Sequence, residues 1–340
     1  MIVATCHDSV NALQGLACVE SVPAPSPFDR AEWYALLAGT GLVPLIAVAG
    51  DGDGQAALAL TEKAGLIAPL RNWYNFTWRP LAPSGERGDR LLTEIARQLK
   101  VRGHRVTLAP VPEEDGSASR LSRAFRSAGW RVEVTRYDIN HVLHLRGRSF
   151  AEYWAGRPGR MRTTLKRKAR KVETRIIEHF DAELWDAYER IYAASWKPKE
   201  DFPEMLRDFA RAEGDAGRLR FGMAWHDGEP VAAQCWTVEN GTAFIHKLAH
   251  LESHRHLSAG TTLTAALFEH VIDRDRVATV DFGTGDQPYK ADWMEEIRPR
   301  YQIDCLDMGR ARGWIDLARL TARRLASPRV PELAPAPPAG

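Results

Sequence analysis

The sequence predicts an α+β protein built from two similar units in tandem. At 340 residues the chain is longer than one hydrophobic core usually supports, so two domains are expected. In each half, apolar strand candidates joined by turn signals are followed by a helix, a strand, a second helix and a final strand. Because this order occurs twice with little sequence identity, it indicates a structural duplication. The predicted fold is therefore two fused α+β units.

The first half opens with a lead-in that ends in the Pro-rich run S-V-P-A-P-S-P at residues 21–27. An amphipathic helix follows, and the D-G-D-G segment at residues 51–54 predicts a hairpin between the first two strands. Farther on, apolar runs and helical periodicity predict the rest of the unit. The predicted strands are 45–48, 56–60, 65–69, 105–109 and 131–145, and the predicted helices are 28–37, 90–101 and 119–128.

The second half repeats this order after two further helices. The dipeptides Asp227-Gly228 and Asn240-Gly241 mark two hairpins and predict a three-stranded meander. A helix, a strand, a helix and a strand complete the unit. The predicted strands are 219–226, 230–239, 242–250, 277–282 and 301–307, and the predicted helices are 182–195, 203–213, 262–273 and one from about 289.

A basic segment at residues 157–172 joins the halves and holds eight Lys or Arg residues and no acid. Met161, Leu165, Ala169 and Val172 fall on one helical stripe, which predicts an amphipathic helix with a basic outer face. Three interpretations of that face stay open: a solvated surface, a guide for a phosphate-rich ligand or tRNA, or a contact with an anionic membrane. The predicted segments are a lead-in (1–27), a first domain (28–148), a basic helical linker (149–180), a second domain (181–312) and a C-terminal helix with a Pro-rich tail (313–340).

Composition limits the class of protein. The chain is 44% hydrophobic and 26% charged with a net charge of +2, which gives no overall indication of nucleic-acid binding. The four cysteines, Cys6, Cys18, Cys235 and Cys305, are scattered without a C-x-x-C pair, so neither a zinc ribbon nor a disulfide framework is expected. The first residues lack the basic start of a secretion signal, and no stretch reaches the length of a membrane span. We therefore expect a cytoplasmic protein.

Residues 277–294, V-A-T-V-D-F-G-T-G-D-Q-P-Y-K-A-D-W-M, concentrate reactive side chains. Asp281 ends an apolar run, a Gly-rich turn follows, and Tyr289 and Lys290 open a helix, so these groups are predicted to surround one crevice. Asp281 is a candidate base or ammonium anchor, and Lys290 is a candidate contact for an anionic substrate. The alternative is an Asp281–Lys290 ion pair that only closes the turn.

The loop at residues 251–262, L-E-S-H-R-H-L-S-A-G-T-T, leads into a helix. Its small residues Ser258, Ala259 and Gly260 let backbone amides approach a ligand closely, and a helix start favours negative charge. The loop is therefore a candidate cradle for phosphate or pyrophosphate. The alternative is an ordinary helix cap formed by Ser258 or Thr261.

These segments together resemble the GNAT-type acyltransferase superfamily: the meander, S-A-G-T-T, D-F-G-T-G-D-Q-P-Y-K and the basic R-M-R-T-T-L-K-R-K-A-R-K helix. N-W-Y-N-F at 72–76 and S-W-K at 195–197 resemble its double-domain branch, the CelD-like and FemAB-like proteins of bacterial envelope and polysaccharide gene sets. The resemblance covers roughly residues 25–310. It implies two tandem GNAT-like units, each a mixed, mostly antiparallel sheet flanked by helices. It also implies acyl transfer to an amine from a thioester or from aminoacyl-tRNA.

The resemblance implies a donor site on the loop before the central helix of the second unit. The GNAT signature there is Q/R-x-x-G-x-G/A, and Arg255 and Gly260 match its first and last positions, whereas Ser258 replaces the first glycine. The co-substrate implied is acetyl-CoA or another acyl-CoA, although FemAB-like relatives also depart at this position and some use a different donor. The implied donor-binding residues are Leu248, Ala249, Arg255, Ser258, Ala259, Gly260, Thr261 and Thr262.

The resemblance further implies that Tyr289 protonates the leaving group while Asp281, or a water it holds, takes the proton of the amine. Backbone amides of Leu248 and Ala249 would polarise the donor carbonyl. Gln234 and Lys247 are polar residues on apolar strands that either line the cleft or face solvent. The candidate substrate-binding residues are Tyr74, Trp196, Lys197, Gln234, Lys247, Asp286 and Lys290.

The acceptor is expected to be a small molecule or a glycan precursor, and no obligate protein partner is predicted. A non-catalytic scaffold in polysaccharide assembly is the competing class. No metal site is expected, because His246 and His250 on one strand would place their Cβ atoms about 13 Å apart.

Overall fold

A computed structural model describes residues 1–16, 24–195 and 197–326. Within that part of the chain we number twelve strands and ten helices, and no helix there is long and apolar enough to cross a bilayer. The strands are β1 (Val3–His7), β2 (Pro44–Gly50), β3 (Gln55–Lys63), β4 (Leu66–Pro69), β5 (Arg105–Pro112), β6 (Arg131–His144), β7 (Glu173–Ile177), β8 (Leu219–His226), β9 (Glu229–Glu239), β10 (Thr242–His250), β11 (Thr279–Thr284) and β12 (Glu296–Leu306). The helices are α1 (Ala31–Ala38), α2 (Gly85–Arg102), α3 (Ser117–Ser127), α4 (Phe150–Ala155), α5 (Gly159–Lys168), α6 (Ala182–Ala193), α7 (Pro203–Asp215), α8 (Ala259–Glu269), α9 (Pro288–Trp293) and α10 (Ala311–Ala326).

The chain forms two compact units. The first comprises Met1–Ile139 and the segment from Arg298 onward, and the second comprises Asn140–Ile297. The chain therefore passes from the first unit to the second within β6 and returns within β12. The predicted α+β class with two tandem units is confirmed, since each unit holds six strands of mixed pairing and flanking helices.

The sheet of the first unit has the order β1-β2-β3-β4-β5-β12, with antiparallel pairs apart from the parallel β4–β5 pair. Helix α2 packs on β2 and β3 because its apolar residues recur every three or four positions and form one stripe. The buried residues of that stripe are Leu91, Leu92, Ile95, Ala96 and Leu99. Charged residues such as Arg90 and Arg97 occupy the outer face.

The sheet of the second unit has the order β6-β11-β10-β9-β8-β7, in which only β10–β11 is parallel. Its core is an aromatic cluster centred on Phe268 of α8. The Phe268 ring lies 5.2 Å from Tyr153, 5.0 Å from Trp293 and 5.3 Å from Trp236, measured between ring centroids. Aromatic contacts of this kind contribute beyond the area they bury, so α8 is held firmly on the sheet.

The predicted order of strands and helices is observed in both halves, but two edge strands, β1 and β7, were not predicted. Strand β7 lies within the segment expected to be a helical linker. Its first four residues alternate between exposed and partly buried positions, and only Ile177 at its end is buried. An edge strand has a neighbouring strand on one side only, and one of its faces often meets solvent, so its apolar pattern is weak. The sequences of β1 and β7 therefore give little strand signal.

The basic helix is present as α5, which continues into a short 3-10 turn at Ala169–Lys171. Met161 and Val172 are buried in the core of the second unit, and Leu165 packs against it. The basic side chains occupy the remaining face, as the helical stripe predicted.

We predict that Gly88→Ala destabilises the first unit. A Cβ at Gly88 would lie 1.9 Å from the carbonyl oxygen of Pro83, which belongs to the backbone and cannot rotate away. We expect a loss of about 1–3 kcal/mol in the free energy of unfolding, measured by urea titration. Gly50→Ala, whose Cβ would meet its neighbours at 3.5 Å, is the control. Equal stability of the two variants would contradict the prediction.

Candidate functional site

The candidate site lies where β10 and β11 stop pairing. The two strands pair in parallel from Thr242↔Thr279 to Phe244↔Asp281, and β10 then continues to His250 along β9. A register shift in the β9–β10 ladder between Ile245 and Lys247 marks a bulge at the same level. The later part of β10, which includes the predicted residues Leu248 and Ala249, therefore lies beyond the last residue pair with β11.

Strand pairing places Asp281 on one face of the sheet. Phe221 of β8 packs against aromatic rings of α6 and lies opposite Cys235 of β9. Thr237 follows Cys235 by two residues in β9 and lies opposite Phe244 of β10. Residues opposite each other in antiparallel strands share a face, as do residues two apart in one strand. Because Asp281 is the parallel partner of Phe244, its carboxylate lies on this face, which we call the α6 face.

The Asp281 carboxylate is buried and fixed in orientation. Its Oδ2 accepts a hydrogen bond of 3.0 Å from Asn140 Nδ2, and its Oδ1 accepts one of 2.8 Å from the backbone N–H of Gly283. The side chain is only 8% exposed. Since each carboxylate oxygen has two lone pairs, Asp281 can still accept a proton or bind an ammonium group.

Two buried polar residues of β6 were missed by the sequence analysis, and Asn140 is the one that contacts Asp281. Asn140 has no exposed surface, and its Oδ1 has no hydrogen-bond partner within the described residues. His141 is 2% exposed, and its Nε2 lies 3.9 Å from a carboxylate oxygen of the exposed Asp286. The available signal was the polar pair N-H inside the apolar run I-N-H-V-L-H-L.

Tyr289 reaches the site from the opposite face. Its ring packs edge-on against Phe282 at 5.7 Å, and Phe282 belongs to the core beneath α8. Successive strand residues point to opposite faces, so Phe282 and Tyr289 lie on the α8 face while Asp281 lies on the α6 face. Desolvation by its surroundings raises the pKa of the Tyr289 phenol, and the side chain is still 41% exposed.

Lys290 binds the turn after β11. Its Nζ donates to the carbonyl oxygens of Gly283, at 3.4 Å, and of Thr284, and it lies over the Phe282 ring. The hydrogen bonds of Asp281, by contrast, come from Asn140 and Gly283. Lys290 therefore shapes the Gly-rich turn through backbone carbonyls.

A second group of charged residues lies on the α6 face. Lys247, opposite Cys235 and 4% exposed, forms an ion pair with Glu200 at 2.7 Å. Lys197 donates from Nζ to the carbonyl oxygen of Leu248. The Lys247 and Lys197 ammonium groups also lie 5.1 and 5.7 Å from the Tyr192 ring centroid. The structure thus brings together two predicted substrate residues and adds Glu200, which was not predicted.

Burial changes the proton affinity of this group. Desolvation lowers the pKa of Lys197 and of Lys247 to about 8 each, against the opposing attraction of the Glu200 carboxylate. Desolvation and the same carboxylate raise the pKa of Tyr192 to about 12. The two amines therefore lose their protons at a lower pH than exposed lysines do.

Gln234 lies on the α8 face and binds the first turn of α8. Its Nε2 donates to the Gly260 carbonyl oxygen at 3.1 Å and to Thr264 Oγ1 at 2.7 Å, and its Oε1 accepts from Trp236 Nε1 at 2.9 Å. The side chain is 1% exposed. These bonds hold the first turn of α8 on β9, so Gln234 positions the predicted donor loop.

The start of α8 carries an unusual residue and a cation. Ser258 has φ of +55°, a left-handed conformation that favours glycine, at the position where the GNAT signature has its first glycine. Its side chain does not cap the helix and instead accepts a hydrogen bond from Lys168 Nζ at 3.0 Å. Ser258 is therefore not a conventional capping residue, and Lys168 of the basic helix stands at the positive end of α8.

The remaining predicted donor residues lie around this helix start. Arg255 belongs to the exposed 3-10 helix Glu252–Leu257 that precedes it. Ala259 is buried in the first turn, and Thr262 has a buried hydroxyl with no hydrogen-bond partner among the described residues. A Cβ on Gly260 would lie 3.6 Å from His250 Nδ1, so the loop passes close to the end of β10.

Two predicted residues are not part of this group. Tyr74 belongs to the first unit, where it is 6% exposed and packs at 4.5 Å from Trp73. Trp196 lies outside the described residues. Of the histidines considered for a metal, His246 bonds to Thr237 at 2.7 Å, and no metal-binding group of three or more His, Cys, Asp or Glu occurs within the described chain.

Comparison with known proteins agrees with this geometry. Residues 159–291 match the family model of the Acetyltransferase (GNAT) domain, while no curated protein matches the sequence. The crystal structure of FemX is similar over 94% of this chain and 99% of that chain, with a TM-score of 0.64 and 11% identity. The C-terminal domain (DUF2156) of a putative lysylphosphatidylglycerol synthetase from Agrobacterium fabrum covers 86% and 91% of the two chains, with a TM-score of 0.58 and 14% identity.

L-PGS from Bacillus licheniformis has a TM-score of 0.53 and 14% identity, over 88% of this chain and 98% of that chain. At these identities the similarity is one of fold. The matched domain confirms the predicted resemblance to the GNAT superfamily over residues 159–291, and the fold similarity over most of the chain agrees with the predicted tandem arrangement.

We predict that Lys247→Met flattens the pH dependence of stability between pH 8 and 10.5. The unfolded chain keeps this lysine's proton up to its ordinary pKa of 10.5, whereas the folded protein releases it near 8. The unfolded state therefore binds more protons in this interval, and the free energy of unfolding of the wild type rises with pH by up to about 1 kcal/mol per pH unit for this group. Urea titrations across the interval measure the slope.

Lys166→Met removes an exposed lysine from the same unit and is the control for that experiment. Its slope should equal that of the wild type. A Lys247→Met slope as steep as that of the control would contradict the prediction.

Proposed function

We propose that the protein is an N-acyltransferase, which moves an acyl group from an activated donor to an amine. The observation that carries the proposal is the position of Asp281 and Tyr289 on opposite faces of the sheet at the level where β10 and β11 cease to pair. Through such an opening, a donor bound on one side of the sheet and an acceptor bound on the other side can meet. A base on the acceptor side and an acid on the donor side are what acyl transfer requires.

On the α6 face, the acceptor amine would approach Asp281. An amine attacks only in its neutral form, so an acceptor that arrives as an ammonium group must first release a proton to the solvent. As nitrogen bonds to the donor carbonyl carbon, the remaining excess proton passes to Asp281 or to a water that it holds. Asn140 and the Gly283 amide keep the carboxylate in place during this step.

On the α8 face, the donor's phosphates would bind at the start of α8. The support is the helix dipole, the Lys168 ammonium at Ser258 and the anchoring of this turn by Gln234. Amides of Leu248 and Ala249 would stabilise the negative oxygen of the tetrahedral intermediate. When the bond from the carbonyl carbon to the carrier breaks, Tyr289 would give its proton to the leaving sulfur or oxygen.

The first candidate for the donor is acetyl-CoA or another acyl-CoA, and the second is aminoacyl-tRNA. Ser258 at the first glycine position of the signature favours the second, as does the FemX-like fold. The basic helix at residues 157–172 would guide either phosphate-rich carrier or contact an anionic membrane. For the acceptor we propose a small-molecule or glycan-precursor amine related to envelope or polysaccharide synthesis, in the cytoplasm or at the inner face of its membrane.

We predict that Asp281→Asn lowers kcat by about 10²–10⁴-fold with an accepted substrate pair, because a positioned base contributes that much. Asn has nearly the same shape, so circular dichroism and donor affinity should be unchanged. Thiol release measures turnover with acyl-CoA, and transfer of a labelled aminoacyl group measures it with charged tRNA. Asp227→Asn, in an exposed hairpin turn, is the control. Wild-type turnover in Asp281→Asn would remove Asp281 from the mechanism.

We predict that Lys168→Met weakens donor binding by about tenfold, since it removes the ammonium group at the start of α8. Isothermal titration against free coenzyme A and against tRNA at two salt concentrations distinguishes the donors. Saturable coenzyme A binding supports the first donor, and tRNA binding that falls steeply with salt supports the second. Lys166→Met is the matched control. A wild-type protein that binds neither carrier would favour the non-catalytic scaffold.

A further inference from the structure

Helix α10 of the first unit has an amphipathic pattern whose apolar side is exposed. On a helical wheel, Trp314, Ala318, Ala322 and Ile315 fall within one arc of about 100°. Trp314 is 60% exposed and Ile315 is 51% exposed, and both alanines are exposed. A contiguous apolar helix face in water indicates an interaction surface.

The side of α10 that faces the protein combines the half-buried Leu317 and Leu320 with polar and small residues. Asp316 is 5% exposed and lies 3.3 Å from His104 Nε2, while Gly313 is buried so tightly that a Cβ would lie 2.2 Å from the Asp307 carbonyl oxygen. Trp314 Nε1 donates to the Met308 carbonyl oxygen at 3.1 Å, which orients the exposed ring. The helix is therefore seated on the first unit by this side, and its apolar face points outward.

Arginines flank the apolar face. Arg312 and Arg319 are exposed and fall next to Ile315 on the wheel, and Arg310 precedes the helix with a side chain 44% exposed. Residues 308–322 contain three arginines and one acid, and that acid, Asp316, is buried. The exposed surface of this segment is thus both apolar and cationic.

The end of α2 extends the same surface. Arg310 Nη2 donates to the carbonyl oxygens of Lys100 and Val101, at 2.5 and 3.4 Å, which joins the last turn of α2 to the start of α10. Val101 is 71% exposed and lies between Lys100 and Arg102. We define the α10 surface as Val101, Arg310, Arg312, Trp314, Ile315, Ala318, Arg319 and Ala322.

We propose that the α10 surface docks the protein on an anionic lipid bilayer. A helix that lies in a membrane interface needs an apolar face with aromatic and aliphatic side chains and flanking cations, and α10 has this arrangement. Trp prefers the headgroup level, where its ring is buried and its N–H remains bonded, as the Trp314 N–H is here. The charge complementarity favours anionic over zwitterionic lipid. This inference is separate from the proposed acyl transfer, because every residue of the surface belongs to the first unit.

The test is sedimentation of the full-length protein with phosphatidylglycerol-containing vesicles and with phosphatidylcholine vesicles. We expect partitioning into the anionic vesicles that weakens with salt and is at least about tenfold lower for neutral ones. Trp314→Ser combined with Ile315→Ser should lower the partition coefficient by about tenfold or more. Arg312→Glu should reduce mainly the component of vesicle binding that depends on salt concentration. Thermal melting checks that these variants remain folded.

Val43→Ser, 66% exposed in the same unit, and Arg90→Glu, 60% exposed on α2, are the matched controls and should bind vesicles like the wild type. Three results would overturn the proposal. The first is that the wild type does not sediment with anionic vesicles. The second is that controls and α10 variants lose vesicle binding equally. The third is that the wild type is a dimer that the double variant converts to a monomer. The last would assign the surface to self-association.

Discussion

The early end of the β10–β11 ladder is the constraint on which the candidate site depends. Backbone groups in a sheet interior are normally consumed by hydrogen bonds between strands. Here the parallel pairing ends at Phe244↔Asp281, and β10 is carried onward by its bulged pairing with β9 alone. One interruption thus separates two strands and places a buried carboxylate at the point of separation.

The helices convert this interruption into a site with two different sides. Helix α8 is fixed by Gln234 and the Phe268 aromatic cluster, and its positive end meets Lys168. The opposite side carries the buried Lys247 ammonium group, which pairs with the Glu200 carboxylate, and the Lys197 ammonium group near the same Tyr192 ring. Buried ion pairs rarely add much stability, so the presence of one in this position agrees with a role in binding or chemistry.

Much of the fold could be predicted from the sequence, because apolar periodicity and the D-G and N-G turns set the order of elements in both halves. The Asp281–Tyr289 segment could be singled out because reactive residues crowd around glycines. Asn140, His141 and Glu200 could not be assigned, since their importance comes from tertiary contacts with residues far along the chain. The exposed and partly buried residues of β7 likewise gave no strand pattern.

Because the unit boundaries lie inside β6 and β12, the protein cannot be cut into two fragments at the boundary of its sequence repeats without removing a strand from each unit. A cut at the boundary of the sequence repeats, near residue 148, would leave the later fragment without β6, so β11 would present a bare edge to solvent. The earlier fragment would lack β12 and expose β5 in the same way. Unpaired edges recruit strands from other molecules, so such halves would aggregate.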